Sequence, residues 1–349
     1  MDGVWRGLRI WFGGGMTTPA TDPRALRASP IALFRADEIS HPDRRERAGE
    51  LQRVTRGVYV PADAWQRLAP WDRYLARVHA VARNRPDAVF ALESAAALHG
   101  LPVFGEPADV HVVVASPEKS RAVAGVRVHT SAQIPSEDHR GGIRVVSPEA
   151  AAVAIACARH PAVGLAVASA LLRTDRSLGP DDLHALARDR ATARGIRTAQ
   201  WVFDRATAQT ESPLEDVSLA VIEWLGFEAP ELQCWFRSPG GHDRVDFLWR
   251  RSAVAGEADG EVKYSGEYGD ARASLRERNA RDARLRTTHG LKAVAHWAWA
   301  DVVASDQLAA ILCTAGLAQM RPSQPAPLLA LRAALYPQTP SSVVARRRR

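Results

Sequence analysis

The stretch that decides the fold is Arg244-Val-Asp-Phe-Leu-Trp249, followed after a short arginine-rich turn by Gly256-Glu-Ala-Asp-Gly-Glu-Val-Lys-Tyr264. Both runs read as strands, and side chains on a strand alternate faces with a period of two. Glu257, Asp259, Glu261 and Lys263 therefore fall on one side, provided that Gly260 inserts no bulge. Asp246 can face them from the neighbouring strand. Acids crowded on one face repel and resist burial, so the arrangement makes most sense around a hard divalent cation. Mg²⁺ suits it, since it takes one or two carboxylates and keeps several waters. In such a site a lysine orients or polarises the attacking water or a scissile phosphate.

The spacing from Asp246 to Glu257, then Asp259-Gly260 and Lys263-Tyr264, resembles the core of the PD-(D/E)XK nucleases, specifically the very-short-patch-repair (Vsr)-like branch. Flanking segments carry the resemblance over roughly residues 208 to 305. Glu211-Ser-Pro-Leu-Glu215 opens a helix upstream, Glu277 to Leu285 is similar to the branch's charged helix, and Gly290 to Asp301 to its closing strand. The resemblance implies a restriction-endonuclease-like αβ sandwich and an Mg²⁺-dependent endonuclease site, with Asp246 and Glu257 as metal ligands, Lys263 activating water, and Asp259 and Glu211 completing the shell. The pattern departs in one place. Glu257-x-Asp259 with a later Lys263, and Glu261-Val-Lys263 as a literal ExK, are both open; the distance from Asp246 favours Glu257.

Exposed hairpins also carry alternating acids for solubility. Lysine usage argues against that here: of 46 basic residues only Lys119, Lys263 and Lys292 are lysine, so a lysine at this position is not the chain's default. Glu215 has a structural reading of its own, because Ser212-Pro-Leu-Glu215 is a capping box with proline at the first helical position. Glu211, outside the box, is the freer candidate for the site. Trp249, Trp297 and Trp299 lie beside it, and packing is favoured over base stacking for them. His296 can approach the acids without being assigned as a ligand.

The chain has 349 residues, enough for two or three domains, and 46% of them are hydrophobic. A net charge of +7 points weakly to an anionic partner such as nucleic acid. The one dense basic block, Arg346 to Arg349, reads first as a solvated terminus. Cys157, Cys234 and Cys313 stand too far apart for a disulfide framework or a zinc site, which suits a reducing cytoplasm. No apolar run is long enough to span a membrane. The opening residues make a poor signal peptide, Met16 competes with Met1 as initiator, and residues 1–29 read as disordered.

From Pro30 to about residue 65 the pattern is that of a winged helix-turn-helix: a helix over Ile31–Ile39, a second over Pro42–Gly49, then a hairpin from Leu51 to Thr55 and Gly57 to Val60. Arg44, Arg45 and Arg47 would contact DNA phosphates from the helix, and Arg53 and Arg56 from the wing. Five acids (Asp37, Glu38, Asp43, Glu46, Glu50) nearly cancel the six arginines between 31 and 61. Leu51 to Pro61, with its RGVYVP ending, followed by Glu93-Ser-Ala-Ala-Ala-Leu-His-Gly-Leu-Pro102, resembles the N-terminal half of AbiEi-type antitoxins over roughly residues 30 to 165. The resemblance implies a transcriptional regulator of a type IV toxin-antitoxin pair, with DNA and a cognate toxin as partners. His99, at an apparent helix end, reads as a capping or packing residue.

Between these parts, Val110–Val114, Val126–His129 and Gly142–Val146 alternate like strands. Ser147-Pro-Glu149 and Gly179-Pro180 start helices, the second with a basic far end from Arg188 to Arg197, and Ala150 to Leu172 is apolar almost all round. The expected class is α/β in the broad sense, α+β overall. The segments are a disordered 1–29, a winged helix at 30–65, an antitoxin-like α+β and helical region at 66–207, a Vsr-like nuclease-fold domain at 208–315 and a tail at 316–349.

Overall fold

The structure, a computed structural model, describes residues 25–116, 120–132, 134–190, 192–238, 241–259 and 271–336. In chain order it runs β1 (Phe34–Arg35), a 3₁₀ turn (Ala36–Glu38), α1 (Pro42–Arg47), β2 (Leu51–Thr55), β3 (Val58–Pro61), α2 (Ala62–Arg67), α3 (Pro70–Asn84), β4 (Val89–Phe90) and α4 (Leu92–His99). Next come β5 (Val110–Ala115), β6 (Arg121–Val123), β7 (Val126–Ser131), β8 (Glu137–Arg140), β9 (Ile143–Val146), α5 (Pro148–Ala158), α6 (Pro161–Thr174), α7 (Pro180–Arg188) and α8 (Ile196–Phe203). The last part holds α9 (Pro213–Trp224), β10 (Glu231–Ser238), β11 (Gly241–Trp249), β12 (Val254–Ala258), α10 (Ala271–His289), β13 (Ala293–Trp297), α11 (Trp299–Val303), α12 (Ser305–Thr314) and α13 (Pro325–Leu335). The protein is thus α+β. Among the described residues no helix is long and apolar enough to cross a membrane.

Contacts divide the chain into two compact units, one of residues 1–158, 181–199 and 335–349, the other of residues 159–180 and 200–334. In the first unit, β1, β3 and β2 form a three-stranded sheet in that order, and the β2–β3 hairpin turns at Gly57 with φ +70°. The helix expected over Ile31–Ile39 does not form. Phe34 and Arg35 instead pair antiparallel with Tyr59 and Val58, and the Arg35 amide donates to the Glu38 carboxylate at 2.7 Å. A helix of this length is marginal alone, so an available strand edge outcompetes it. The hairpin and the helix begun at Pro42 do form.

This unit also holds a six-stranded sheet, ordered β6-β7-β5-β4-β9-β8, with β5–β7 and β4–β9 parallel. Tyr74, Val78, Phe90, Leu98, Val112 and Val145 anchor its core. Inside that core Ser94 Oγ lies 2.8 Å from Tyr74 Oη and accepts from the His111 amide at the same distance, so its buried hydroxyl is satisfied. His99 Nε2 bonds the Val146 carbonyl at 2.8 Å, and burial pushes its pKa down, as expected of a packing histidine. The apolar run expected from Ala150 to Leu172 breaks after Ala158, and a new helix starts with Pro161 at its first position, where a missing N–H costs nothing.

In the second unit α9 precedes the sheet β10-β11-β12-β13. β10, β11 and β12 are successive antiparallel neighbours, α10 follows, and β13 returns parallel to β12. Leu214, Val217 and Val221 form the buried stripe of α9, and Gly226 ends the helix region at φ +83°. Leu285 is the fully buried apolar anchor of α10, packed with Val245, Leu248, Ala255 and Leu291. Trp249, Trp297 and Trp299 are buried; Trp297 Nε1 donates to Ser218 Oγ of α9 at 2.8 Å, and Trp249 Nε1 to the Glu228 carbonyl at 2.7 Å. These indoles pack rather than stack on a ligand.

Candidate functional site

Strands β11 and β12 pair through Phe247↔Gly256, Leu248↔Ala255 and Trp249↔Val254. Asp246 and Glu257 stand one residue beyond the Phe247↔Gly256 pair. Asp246 Oδ2 accepts the Ala258 amide at 3.0 Å, which ties the acid of one strand to the backbone of the next. Gly256 lets the strands close: a Cβ there would lie 2.5 Å from Trp297 Cη2 and 3.1 Å from Trp249 Cζ3.

A third strand contributes to the site. Pairing of β10 with β11 steps from Leu232↔Phe247 to Cys234↔Val245, and Gln233 between them adopts the left-handed conformation at φ +51°. That region is uncommon for residues with a side chain and concentrates at functional positions. Here it aims the Gln233 amide at two acids, Nε2 donating to Glu215 Oε2 at 2.9 Å and to Asp246 Oδ1 at 3.2 Å. Gln233 Oε1 is buried and has no hydrogen-bond partner among the described residues.

Glu215 and Glu257 are each 5% exposed. Burial pushes both carboxyls up, and the negative charge of Asp246 pushes them further, each to about 7. Opposing contributions are local. Glu215 receives the Glu211 amide at 2.9 Å and the Ser212 hydroxyl at 2.7 Å. Glu257 Oε1 lies 2.6 Å from Arg281 Nη2 of α10, an ion pair that offsets only part of the cost of burial.

Beside this cluster, Asp259 donates its amide to the Trp297 carbonyl at 2.8 Å and faces His296 and Arg278 with its carboxylate. His296 Nδ1 is 2.7 Å from Asp259 Oδ2 and Nε2 is 3.0 Å from Asp282 Oδ2, so an imidazolium can donate from both nitrogens. Burial of the ring works against its charged form, but the Asp259 hydrogen bond and the two nearby carboxylates outweigh it, and the pKa is raised.

The structure therefore gathers Asp246, Glu257 and Asp259 near the β11–β12 junction. Glu211 is directed elsewhere, in a bidentate pair with Arg244 at 2.7 and 2.6 Å. Glu215 stands in the cluster in its place. Lys263, with Glu261 and Tyr264, lies outside the described residues. Sequence reasoning missed Gln233 and Arg281 and treated Glu215 as a cap alone. The Ser212 half of the cap forms, with Ser212 Oγ accepting the Glu215 amide at 3.3 Å, but the Glu215 carboxylate takes the Glu211 amide and the Ser212 hydroxyl rather than the Ser212 amide, and also receives Gln233.

Among the described residues no three His, Cys, Asp or Glu side chains are placed to hold a metal ion. Mg²⁺ is nevertheless compatible with the donors present. Asp246 and Glu257 offer hard oxygen donors, the crowded carboxyls are short of positive charge, and the orphaned Gln233 Oε1 is an acceptor that a cation's water would satisfy.

The five N-terminal arginines differ in their surroundings. Arg53 is held by Asp43 at 2.8 Å and Glu46 at 2.6 Å and lies over the Tyr59 ring, and Arg45 pairs with Glu50 at 2.7 Å. Arg47 Nε donates to the Asp43 carbonyl. Arg44 and Arg56 are exposed. No protein-family model matches the chain, and comparisons with curated proteins and with solved structures return no similar protein.

Proposed function

We propose that the second unit is an Mg²⁺-dependent phosphodiesterase acting on nucleic acid, built on the Vsr-like PD-(D/E)XK plan that its sequence resembles. The observation that carries the reading is the burial of Glu257 and Glu215 around Asp246, with both glutamates near pKa 7. Such crowding is costly for stability alone, and strongly perturbed carboxyls cluster where chemistry is done. The order helix, three antiparallel strands, helix, parallel strand supports it, because the opening helix, the strand pair, the charged helix and the closing strand occur in the sequence the resemblance implies.

Asp246 and Glu257 would hold Mg²⁺, which supplies charge neutralisation of a phosphate and a more acidic water. Gln233 fixes Asp246 and Glu215 relative to each other. His296 holds Asp259 in place, and Lys263 is the residue proposed to orient the water. Residues 30–65 are proposed to target the protein to DNA as a winged helix. In a parallel plasmid assay with Mg²⁺ or Mn²⁺, wild type should nick supercoiled DNA and Asp246→Ala should not; equal inactivity of the two folded proteins overturns the enzymatic reading.

A second reading has one specific observation in its favour. Arg281 already supplies Glu257 with a counter-charge, which is what a site retained as scaffold would keep. The protein would then be a DNA-binding regulator of the AbiEi antitoxin type, with a toxin partner. Retention of operator binding by both proteins in the absence of any nicking supports it, as does co-purification of a toxin.

A further inference from the structure

The β10–β11 hairpin carries a surface that the acid cluster does not use. Trp235 is 65% exposed, on the edge strand of the sheet, in a chain whose other site-side tryptophans are buried. Its neighbours Cys234 and Phe236 turn the other way, toward the core around Leu285, so Trp235 is displayed on the face away from α10. Across the ladder it pairs with Arg244, and the next pair outward on this face is Arg237 with His242. Arg244 places its guanidinium 5.2 Å from the Trp235 ring centre, and His242 meets the ring edge-on at 6.2 Å. Arg237 and His242 are exposed, whereas Asp243 and Val245 are buried.

This surface is physically joined to the carboxylates. Arg244 grips both oxygens of Glu211, the Glu211 amide donates to Glu215 Oε2, and Gln233, two residues before Trp235, bridges Glu215 to Asp246. Two residues along a strand cover at most about 7 Å, so Trp235 lies close along β10 to Gln233, the residue that holds the acids.

The geometry points to this face as the seat of the substrate strand: an unpaired base of a single-stranded or locally melted nucleic acid stacks on Trp235, and Arg237 takes a flanking phosphate. The occupant's chemistry follows from the composition of the face. An exposed indole flanked by two arginines and a histidine offers a π-surface and positive charge, and every base has a π-face while every nucleotide carries a phosphate. Arg244 is held by Glu211, which fixes it beside the ring and leaves Arg237 as the phosphate contact. The inference rests on the proposed function for its substrate class and adds strand state to it: the protein prefers unpaired to fully paired nucleic acid.

The test is fluorescence anisotropy of a labelled 12-nucleotide oligothymidylate and of a labelled 12-base-pair duplex, in EDTA so that nothing is cleaved, with wild type, Trp235→Ala, Trp235→Phe and Arg237→Ala. Wild type should bind the single strand, and Trp235→Ala should weaken it by about tenfold or more, as expected for the loss of one base–aromatic stack. Trp235→Phe should recover most of that loss, and Arg237→Ala should reduce the salt dependence of binding by about one counterion. Single-strand binding unchanged in Trp235→Ala overturns the proposal, as does preference for the duplex. Adding Mg²⁺ separates it from the enzymatic reading. Trp235-dependent binding without cleavage removes the enzyme and keeps the platform; cleavage indifferent to Trp235 removes the platform and keeps the enzyme.

Discussion

Arg281 Nη2 of α10 lies 2.6 Å from Glu257 Oε1 of β12, so the most deeply placed strand carboxylate of the candidate site already has a cation beside it. Glu257 nonetheless has its pKa raised to about 7, because burial and Asp246 together exceed what one arginine returns. Arg281 is the resident counter-charge of a site that is short of positive charge, and it would compete with the proposed Mg²⁺ for the same oxygen.

Removing that arginine separates the two roles. Arg281→Ala is expected to lose about 1 kcal/mol of stability at pH 8, since with Glu257 near 7 the ionised pair contributes only over the last pH unit, and the guanidinium is partly exposed. At pH 5.5 the loss should nearly vanish, since Glu257 then takes a proton and needs no partner. The variant should also gain more thermal stability from Mn²⁺ than wild type does. Urea unfolding at the two pH values and melting with and without Mn²⁺ measure both effects; an equal loss at both pH values would sink the electrostatic account.

The two glutamates set a pH window for the unit. Each has a folded pKa near 7 against an ordinary 4.5, so between these values the folded state binds more protons than the unfolded one. Stability contributed by the protonated groups is present below about 4.5 and is lost as pH rises through 7. Each group contributes up to about 3 kcal/mol over that range. Unfolding in EDTA at pH 5 and pH 8 should show the decline, and Glu257→Gln or Glu215→Gln should flatten it.

Charge crowding also predicts an unusual consequence for the central acid. Asp246→Asn removes the negative charge that raises both glutamates, so the apo protein should become more stable at pH 8 while losing stabilisation by Mn²⁺. Measured melting temperatures that fall in the apo variant would show that Asp246 is structural rather than a site residue.

Gly256 tests the packing beneath the site. Its missing side chain is what admits the Trp297 and Trp249 rings, and Gly256→Ala should cost about 1–3 kcal/mol through overpacking. A shifted guanidinium midpoint with altered near-ultraviolet circular dichroism from the displaced indoles is the expected outcome. Unchanged values would mean that the strand moves aside freely.

How much of this was legible in the sequence depends on whether the cause is local. That Arg244–Trp249 pairs with a strand carrying Glu257 could be read from alternation, but the strand is Val254–Ala258 and pairs through Val254, Ala255 and Gly256, residues that alternation assigns partly to the turn, and Asp259 lies beyond its end. The cap at Ser212 was legible too, but the local reading concealed that the Glu215 carboxylate spans from the cap to Gln233. The left-handed backbone at Gln233 has no sequence signal, because it is imposed by pairing with β11. Nor does any local rule tell which arginines of α10 turn inward: Arg278, Arg281 and Arg284 meet Asp259, Glu257 and Asp243 only because the sheet presents those acids. At the other end, the helix expected over Ile31–Ile39 lost to a strand edge that its own residues do not encode.

The N-terminal arginines divide by partner, and a DNA-binding role divides with them. Arg53 is committed to Asp43 and Glu46 and stacks on Tyr59, so Arg53→Ala should weaken the β2–β3 hairpin before it weakens any DNA contact. Arg44 and Arg56 are exposed and available for phosphates. The double variant Arg44→Ala with Arg56→Ala should keep its melting temperature and bind DNA less tightly, with the slope of log affinity against log salt reduced by about two. Arg53→Ala should instead lower the melting temperature. If the double variant binds with an unchanged salt slope, residues 30–65 do not grip DNA through these arginines, and the targeting role proposed for them falls while the site around Asp246 is untouched.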